Sequence, residues 1–496
     1  MSVDNIIKDA FTFLEGKELE ERKIFGQYYT PSNIAVYMAK QITNPKKTKV
    51  TILDAGAGSG ILALESIRRV IGFGVKFINL ILYEVDAEAI TFLENLVLKL
   101  KQELIVREVI LEYKILDNDF VTSRPDKENL SIDIAIVNPP YFKYNVKNSK
   151  YAKAVSDLYK GDPNIYASFM AIISNMLSLN GQMVSITPRS FTNGLYYKGF
   201  RDFIFSKLSL EFIHVFNKRK GLFKDKSKEV LQENVICKFL RKEEQTNVIC
   251  VASSAVNFRE VLIARYNASL LFNVVNGYKM LLIPENDIQG IVLNRIAKMQ
   301  SFFEDNYVIS TGPVVEYRSK ANIVKTNNAE NTIPLFKAHN IIEGTVSWSG
   351  KHSKDLRYLI DENSMKPLIG NQRYLFVRRF STKEDRRRLI AGIYIPDNSQ
   401  KFLAIDNKVN YISSKHEELS IEELYGLNVI FNSTLFDNYF RCISGNTQVN
   451  ATEIRLMKFP TREKIVEIGK IFLLKVNDNA DTNQMVDQII NEVLEI

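Results

Sequence analysis

The residues best suited to chemistry lie in one tetrapeptide, Asn138-Pro139-Pro140-Tyr141, which directly follows an apolar run from Ile132 to Val137 with strand character. Two consecutive prolines cannot continue a sheet ladder or an ordinary helix. The chain must therefore stop at the strand end and hold a stiff corner. That corner presents the Asn138 amide, the Pro139 carbonyl and the Tyr141 ring to one small planar group. An amide oxygen beside a carbonyl oxygen forms a pair of acceptors, suited to an exocyclic NH2 group with two hydrogens to give. Alone, such a tetrapeptide is a common turn, so its meaning depends on what precedes it.

Upstream stands Asp54-Ala-Gly56-Ala-Gly58-Ser-Gly60. Glycines there let a ligand approach the backbone where side chains would collide. The third glycine comes one position earlier than in the dinucleotide GxGxxG pattern, but a strand before and a helix after still imply a nucleotide-like ligand. Glu84 ends the next strand, where a carboxylate takes both ribose hydroxyls. NAD and S-adenosylmethionine (AdoMet) both use that geometry, so Glu84 leaves the two open. Asp119 is placed to accept from an adenine amino group, with Phe120 packing on the ring. A plain turn role for Asp119 is the alternative.

Regular elements must position these groups. The spacing of Ile6, Ile7, Ala10, Phe11 and Leu14 predicts an amphipathic helix up to about residue 22. Thr30 reads as an N-cap and Pro31 as a first-turn proline of a helix running to about Ile42. Strands are expected at 50–54, 77–83, 113–116, 132–137 and 182–187, with helices from 61, around 90–100 and over 164–179. Closing strands are expected at 206–216 and 233–239. This alternation predicts an α/β fold with a doubly wound, mostly parallel sheet. Ligands on such sheets bind at the carboxyl ends of the strands. Asp54, Glu84, Asp119 and Asn138 all fall there.

From about residue 247 the regular alternation is lost, which divides the chain into domains 1–245 and 246–496, the second a mixed α+β domain. Helices are expected there at 424–440, 464–474 and 485–494. The 496 residues carry a net charge of +8, which fits a polyanionic partner without requiring one. Basic residues cluster at Lys218-Arg219-Lys220 and again at Arg373, Arg378, Arg379 and Arg386 to Arg388, where Tyr374, Phe376 and Phe380 interleave. Arginines among aromatics suit phosphate and base-edge contacts; for 386–388 a solvated helix face fits equally well. The three cysteines and four histidines match no metal spacing, and no metal is assigned. Neither a secretory signal nor a membrane-spanning run is read, so a cytoplasmic location is expected.

Taken together, the motifs Asp54–Gly60, Tyr83-Glu-Val-Asp86, Asn118-Asp-Phe120 and Asn138–Tyr141 resemble, in order, those of AdoMet-dependent amino-methyltransferases. Gly26-Gln-Tyr-Tyr-Thr-Pro31, ahead of the glycine loop, resembles their additional AdoMet-binding motif. That order is similar to the gamma class of DNA adenine-N6 methyltransferases, the TaqI type, found in type II restriction-modification systems. Asn164–Phe169, Gly181–Phe191, Gly221-Leu-Phe223 and Val230–Ile236 extend the resemblance over most of residues 20–240. Leu427–Ser433, Ile443–Asn450 and Met457–Pro460 resemble the end of a target-recognition domain, and the whole resembles modification enzymes of the PstI and BsuBI sort.

The resemblance implies AdoMet as cofactor, held by Tyr29, Thr30, Asp54, Gly56, Gly58, Glu84, Asp119 and Phe120. It implies double-stranded DNA as substrate, a cognate endonuclease as functional partner, and a monomer with no membrane association. A stacked, paired adenine must be flipped out to react. Asn138 and the Pro139 carbonyl would then accept its amino hydrogens, Tyr141 would stack on the base, and Phe223 would cover the other face. Arg378 and Arg379 would touch the DNA. The alternatives are a protein-glutamine or RNA N-methyltransferase, an NAD dehydrogenase, a binding module without catalysis, and a fused methylase-endonuclease. The last rests on Pro396-Asp397 and Asp406-Asn-Lys408, a loose nuclease-like pattern that chance produces easily.

Overall fold

A computed structural model describes residues 3–15, 30–144, 149–161, 164–217, 233–243, 246–325, 331–342, 344–361, 364–397, 400–476 and 482–495. The chain divides into two compact units, Met1–Glu285 and Asn286–Ile496.

The first unit is organised by a nine-stranded sheet. Its elements are α1 (Val3–Glu15), α2 (Ser32–Lys40), β1 (Lys49–Ala55), α3 (Ile61–Ile71), β2 (Phe77–Tyr83), α4 (Ala87–Val106), β3 (Ile110–Leu116), α5 (Phe120–Ser123) and β4 (Ile132–Val137). They continue with α6 (Lys150–Ala154), α7 (Ile165–Met176), β5 (Leu177–Pro188), α8 (Lys198–Lys207), β6 (Ser209–Phe216), β7 (Asn234–Leu240), β8 (Val248–Ser254) and β9 (Leu262–Asn267). The strand order is β3-β2-β1-β4-β5-β7-β6-β8-β9. Strands β1 to β5 are parallel, and β7 is antiparallel to both of its neighbours. This is the doubly wound sheet expected from the alternation.

The order reverses between β1 and β4, which lie side by side with Ile52 opposite Ile134 and Leu53 opposite Ala135. In such sheets the crevice forms at the carboxyl ends of the strands flanking the reversal. β4 can sit there because Ile134, Ala135, Ile136 and Val137 are apolar toward both faces, and all four are buried.

Three local readings change. Leu177 to Leu179 begin β5 rather than ending a helix, which stops at Met176. α8 occupies Lys198–Lys207, where no element was expected before 206, and the strand expected from 206 begins at Ser209. The first sheet also does not close at 245: β8 pairs parallel with β6, and β9 pairs with β8. Without β8, the apolar strand β6 would be an exposed edge, and the compact unit accordingly runs on to Glu285.

The second unit contains a six-stranded sheet built around Val409–Ser414 and Tyr374–Arg378 and a five-stranded sheet built around Thr332–Phe336 and Leu356–Leu359. The expected helix at 424–440 is two helices, Ile421–Phe431 and Thr434–Ile443. Ser433 divides them because its side chain caps the second, accepting from the Phe436 N–H. Helices Arg462–Lys475 and Thr482–Leu494 follow. Among the described residues no helix is long and apolar enough to cross a membrane.

Candidate functional site

Four strand ends bring the motifs together. β1 ends at Asp54-Ala55, and the chain turns through Gly56, Gly58 and Gly60 at φ of 80°, 55° and 75°. These left-handed values cost a residue with a Cβ 1 kcal/mol or more, on the order of the usual penalty. At Gly60 packing adds a second demand, since a Cβ would meet Leu93 Cδ2 at 2.8 Å. The Gly56 and Ala57 N–H groups donate to the Tyr83 carbonyl at 2.9 Å each, which ties the loop to the end of β2.

Glu84 completes that tie. Its Oε2 accepts from the Gly58 N–H at 2.7 Å, and Oε1 accepts from Val85 N–H at 2.9 Å and Asp86 N–H at 3.0 Å. Three backbone donors therefore fix the carboxylate's plane beside the glycine loop. Asp86 has a separate duty, capping α4 through Glu88 and Ala89. Asp54 is different in kind: it is fully buried, and neither carboxylate oxygen has a hydrogen-bond partner among the described residues. Burial holds its pKa well above the usual carboxylate range, opposed in part by the Ala63 N–H, which faces the carboxyl outside full hydrogen-bond geometry, and reinforced by Glu84. A buried polar group with no partner is costly unless a ligand supplies one.

Asp119 caps α5, its Oδ1 accepting from Val121 and Thr122. Its Oδ2 accepts from the Tyr151 hydroxyl at 2.9 Å and from Lys150 Nζ at 3.3 Å. Burial raises its pKa, but the Thr122 backbone, Tyr151 and Lys150 outweigh it and hold the carboxyl below its usual value. Burial and Asp119 together push the Tyr151 hydroxyl up to about 12. Phe120 is buried, with its ring stacked on Phe169 at 5.0 Å and edge-on to Tyr83 at 5.0 Å. Phe169 also reaches the glycine loop, lying 4.0 Å from where a Gly56 Cβ would be.

The corner at the end of β4 faces this assembly. Asn138 Nδ2 donates to Thr30 Oγ1 at 3.0 Å, and the Tyr141 hydroxyl lies 2.5 Å from Asn138 Oδ1 and 2.8 Å from the Ile186 carbonyl. Pro139 is buried. Tyr141 packs against the core of the unit and meets Tyr166 edge-on at 6.2 Å. Thr30 does not cap its helix: Pro31 is the N-cap residue of α2 and no side chain caps it. The Thr30 hydroxyl is instead committed to Asn138.

The described residues thus gather Thr30, Asp54, Gly56, Gly58, Glu84, Asp119, Phe120, Asn138, Pro139 and Tyr141 at the carboxyl ends of neighbouring strands of one sheet. Tyr29, Phe223 and the basic run from Lys218 lie outside the described residues. Arg378 and Arg379 belong to the second unit. Arg378 donates to the Ile341 carbonyl, and Arg379 to the Asn407 carbonyl at 2.9 Å, with its guanidinium 5.8 Å from the Phe380 ring centre. Sequence reasoning missed Phe169, Tyr151 and Lys150 as members of the site. Phe169 stands in a quoted motif but had no assigned role. Nothing in the spacing connects Lys150 or Tyr151 to Asp119, because the link is made by folding.

One further cluster lies in the second unit. His339 Nε2 is 2.9 Å from Asp355 Oδ1, and the His339 and His352 rings stack at 4.8 Å. Asp355 also accepts from Asn340, Ser349 and the His352 N–H, which makes it the anchor of its own loop.

Comparison with known proteins follows the same lines. Residues 75–223 match the family described as Eco57I restriction-modification methylase. The chain is 32% identical over 485 residues to the type II methyltransferase M.BsuBI of Bacillus subtilis, covering 96% of this chain and 95% of that protein. It is 31% identical over 513 residues to the type II methyltransferase M.PstI of Providencia stuartii, covering 99% and 97%. Among solved structures, the type IIL restriction-modification enzyme MmeI in complex with DNA is similar in fold, with a TM-score of 0.58 and 11% identity over 99% of this chain and 75% of that one.

Proposed function

The chain belongs to the type II restriction-modification methyltransferases and has an α/β methyltransferase fold, and from that premise we propose that it transfers a methyl group from AdoMet to adenine N6 in duplex DNA. The observation that carries this reading is the Asn138 corner at the end of β4, next to the glycine loop of β1, with its amide held by Thr30 and Tyr141.

The residues present fit AdoMet. Gly56 and Gly58 leave a backbone cradle, Glu84 is held rigid for a ribose, and Asp54 keeps a buried carboxyl with no hydrogen-bond partner among the described residues. Tyr29 was expected to join this set, as was Thr30, whose hydroxyl is on Asn138 instead. When bound, the cofactor would supply an electrophilic methyl group, its sulfur–carbon bond breaking to a neutral thioether as the carbon–nitrogen bond forms, and the proton the amine loses would pass to water. The protein's own work is positional. Asn138 Oδ1 and the Pro139 carbonyl accept the two amino hydrogens, which draws the nitrogen toward tetrahedral geometry and directs its lone pair. Positioning and electrostatic complementarity then lower the barrier without a covalent intermediate. In this reading Tyr141 stacks on the flipped base, so its hydroxyl leaves Asn138 and Ile186 as the base enters. Phe223, Arg378 and Arg379 are assigned to the DNA on residue type and resemblance. An adenine amino group at Asp119 would take the place of Lys150 or Tyr151.

Further parts of the reading are that the base is flipped before transfer, that the enzyme acts as a cytoplasmic monomer, and that it protects sites from a cognate endonuclease. The second unit, with its basic and aromatic residues, is assigned to target recognition. The fused-nuclease alternative is disfavoured by Asp406. It is fully buried with one oxygen bound by the Lys408 N–H, while Asp397 is exposed, so the two carboxylates of the pattern stand in different environments.

The test is transfer of tritium from methyl-labelled AdoMet to unmethylated duplex DNA, followed by nucleoside analysis. Label in N6-methyl-2′-deoxyadenosine from the DNA is expected. Label on protein or RNA and never on DNA would sink the reading. Label on cytosine N4 would sink the adenine assignment alone.

A further inference from the structure

We propose that Thr30 is a positioning residue for Asn138, acting on the methyl-transfer step rather than on cofactor affinity; this inference rests on the function proposed above.

A side-chain amide has a donor end and an acceptor end of nearly the same shape. Only the acceptor end can take a hydrogen from an amine. An amide turned by half a rotation would point N–H at N–H, and the acceptor pair with the Pro139 carbonyl would be lost. Among the described residues, two hydroxyls meet this amide. Thr30 Oγ1 receives Nδ2 at 3.0 Å, and the Tyr141 hydroxyl approaches Oδ1 at 2.5 Å.

The two contacts differ in permanence. Tyr141 Oη also lies 2.8 Å from the Ile186 carbonyl, which can only accept. One hydroxyl carries one proton, so Tyr141 cannot donate fully to both oxygens at once. Its contact with Oδ1 is also the one the substrate amine must replace. The Thr30 contact lies at the other end of the amide and can persist while Oδ1 changes partner. Thr30 is buried, so water does not readily substitute for its hydroxyl. Its sequence position, directly before Pro31, is where a threonine would cap a helix. Instead the hydroxyl reaches Asn138, 108 residues away in the chain.

The test compares wild type, Thr30→Val and Thr30→Ser in single-turnover tritium transfer from AdoMet to unmethylated bacterial DNA, with AdoMet affinity measured separately by calorimetry. Valine keeps the shape and removes the acceptor from Nδ2. At saturating AdoMet and DNA, the Val variant is expected to transfer about tenfold to a hundredfold more slowly, the loss typical of removing one polar partner from a group that must be held in orientation. Its AdoMet dissociation constant should stay within about twofold, since the loss falls on the transition state, and this also shows that the site is folded. The Ser variant should recover most of the rate. A wild-type rate in the Val variant overturns the inference. So does a loss that appears only as weaker AdoMet binding, as a cofactor ligand would give, or a Ser variant as slow as Val. If the wild-type chain itself methylates no DNA, the proposed function fails and this inference fails with it.

Discussion

At the Asn138 corner and in the arginine-rich stretch 373–388, residue type pointed to ligand contact in both cases, yet the polar groups meet different surroundings. At the corner, hydrogen bonds orient groups that stand at strand ends: Thr30 fixes one end of the Asn138 amide, and backbone donors fix Glu84. Asp54 is left with no partner among the described residues. In the stretch, guanidiniums serve the protein's own backbone. Arg388 is fully buried and donates to Ser381 Oγ at 3.0 Å and to the carbonyls of Ser444 at 2.9 Å and Asn446 at 2.5 Å, which holds the loop after Ile443. Arg387 donates to the Asn432 carbonyl, and Arg373 pairs with Glu418 at 3.1 Å. Only Arg386 of the 386–388 run is exposed. Neither a DNA contact nor a solvated helix face therefore describes Arg388, because the run is not helical and the third guanidinium turns inward. A strand end keeps its orientation whatever surrounds it, whereas a long flexible side chain goes wherever carbonyls are available.

That contrast can be broken at either side. The largest effect is expected at the corner: Asn138→Ala should lower methyl transfer by about a thousandfold, the upper range for losing a preorganised polar contact to the reacting group. AdoMet binding should change little, and calorimetry beside a tritium assay checks both. Equal loss of binding and rate would mean the corner is structural.

Next comes Arg388→Met, which removes a buried cation and leaves its carbonyl and hydroxyl partners unmet. A loss of about 3 kcal/mol is expected, read from denaturant unfolding. If stability is unchanged while DNA affinity falls, Arg388 is a DNA ligand after all.

A pH-dependent effect belongs to His214, which lies in the core of the first unit between the Tyr37 hydroxyl at 2.8 Å and Ser254 Oγ at 3.1 Å. Burial depresses its pKa from 6.5 to about 3. The unfolded chain therefore takes up the proton first as pH falls. The contribution is intact above pH 6.5 and is lost progressively toward pH 3, at up to about 1.4 kcal/mol per pH unit. His214→Phe should flatten that part of the stability profile, whereas an unchanged slope would assign acid sensitivity elsewhere. The smallest effect is that of Arg386→Ala, expected within about 0.5 kcal/mol of wild type because the side chain is exposed.

Much of the first unit was legible because its cause is local. Apolar runs of strand length, separated by helix-period segments, gave β1 to β4 and the helices between them. Glycines at 56, 58 and 60 announced a tight left-handed path. Strand ends ordered the motif residues at one edge without any knowledge of contacts. Less legible were β5's early start at Leu177, the helix α8, and the extension of the sheet through β8 and β9. Those depend on which neighbour a strand finds to cover its edge, and sequence pattern does not carry that.

By itself the sequence determined the sheet's doubly wound class, the strand ends on which the candidate site residues stand and the identity of the Asn138 corner, because periodicity, glycine and proline act through the backbone nearby. Only the tertiary structure decided how individual polar atoms are spent. It sent the Thr30 hydroxyl to Asn138 rather than to its own helix, put Lys150 and Tyr151 on Asp119, and turned Arg388 inward. The physical reason is that a donor or acceptor is satisfied by whatever lies within about 3 Å of it, and in a folded chain that neighbour is usually remote in sequence.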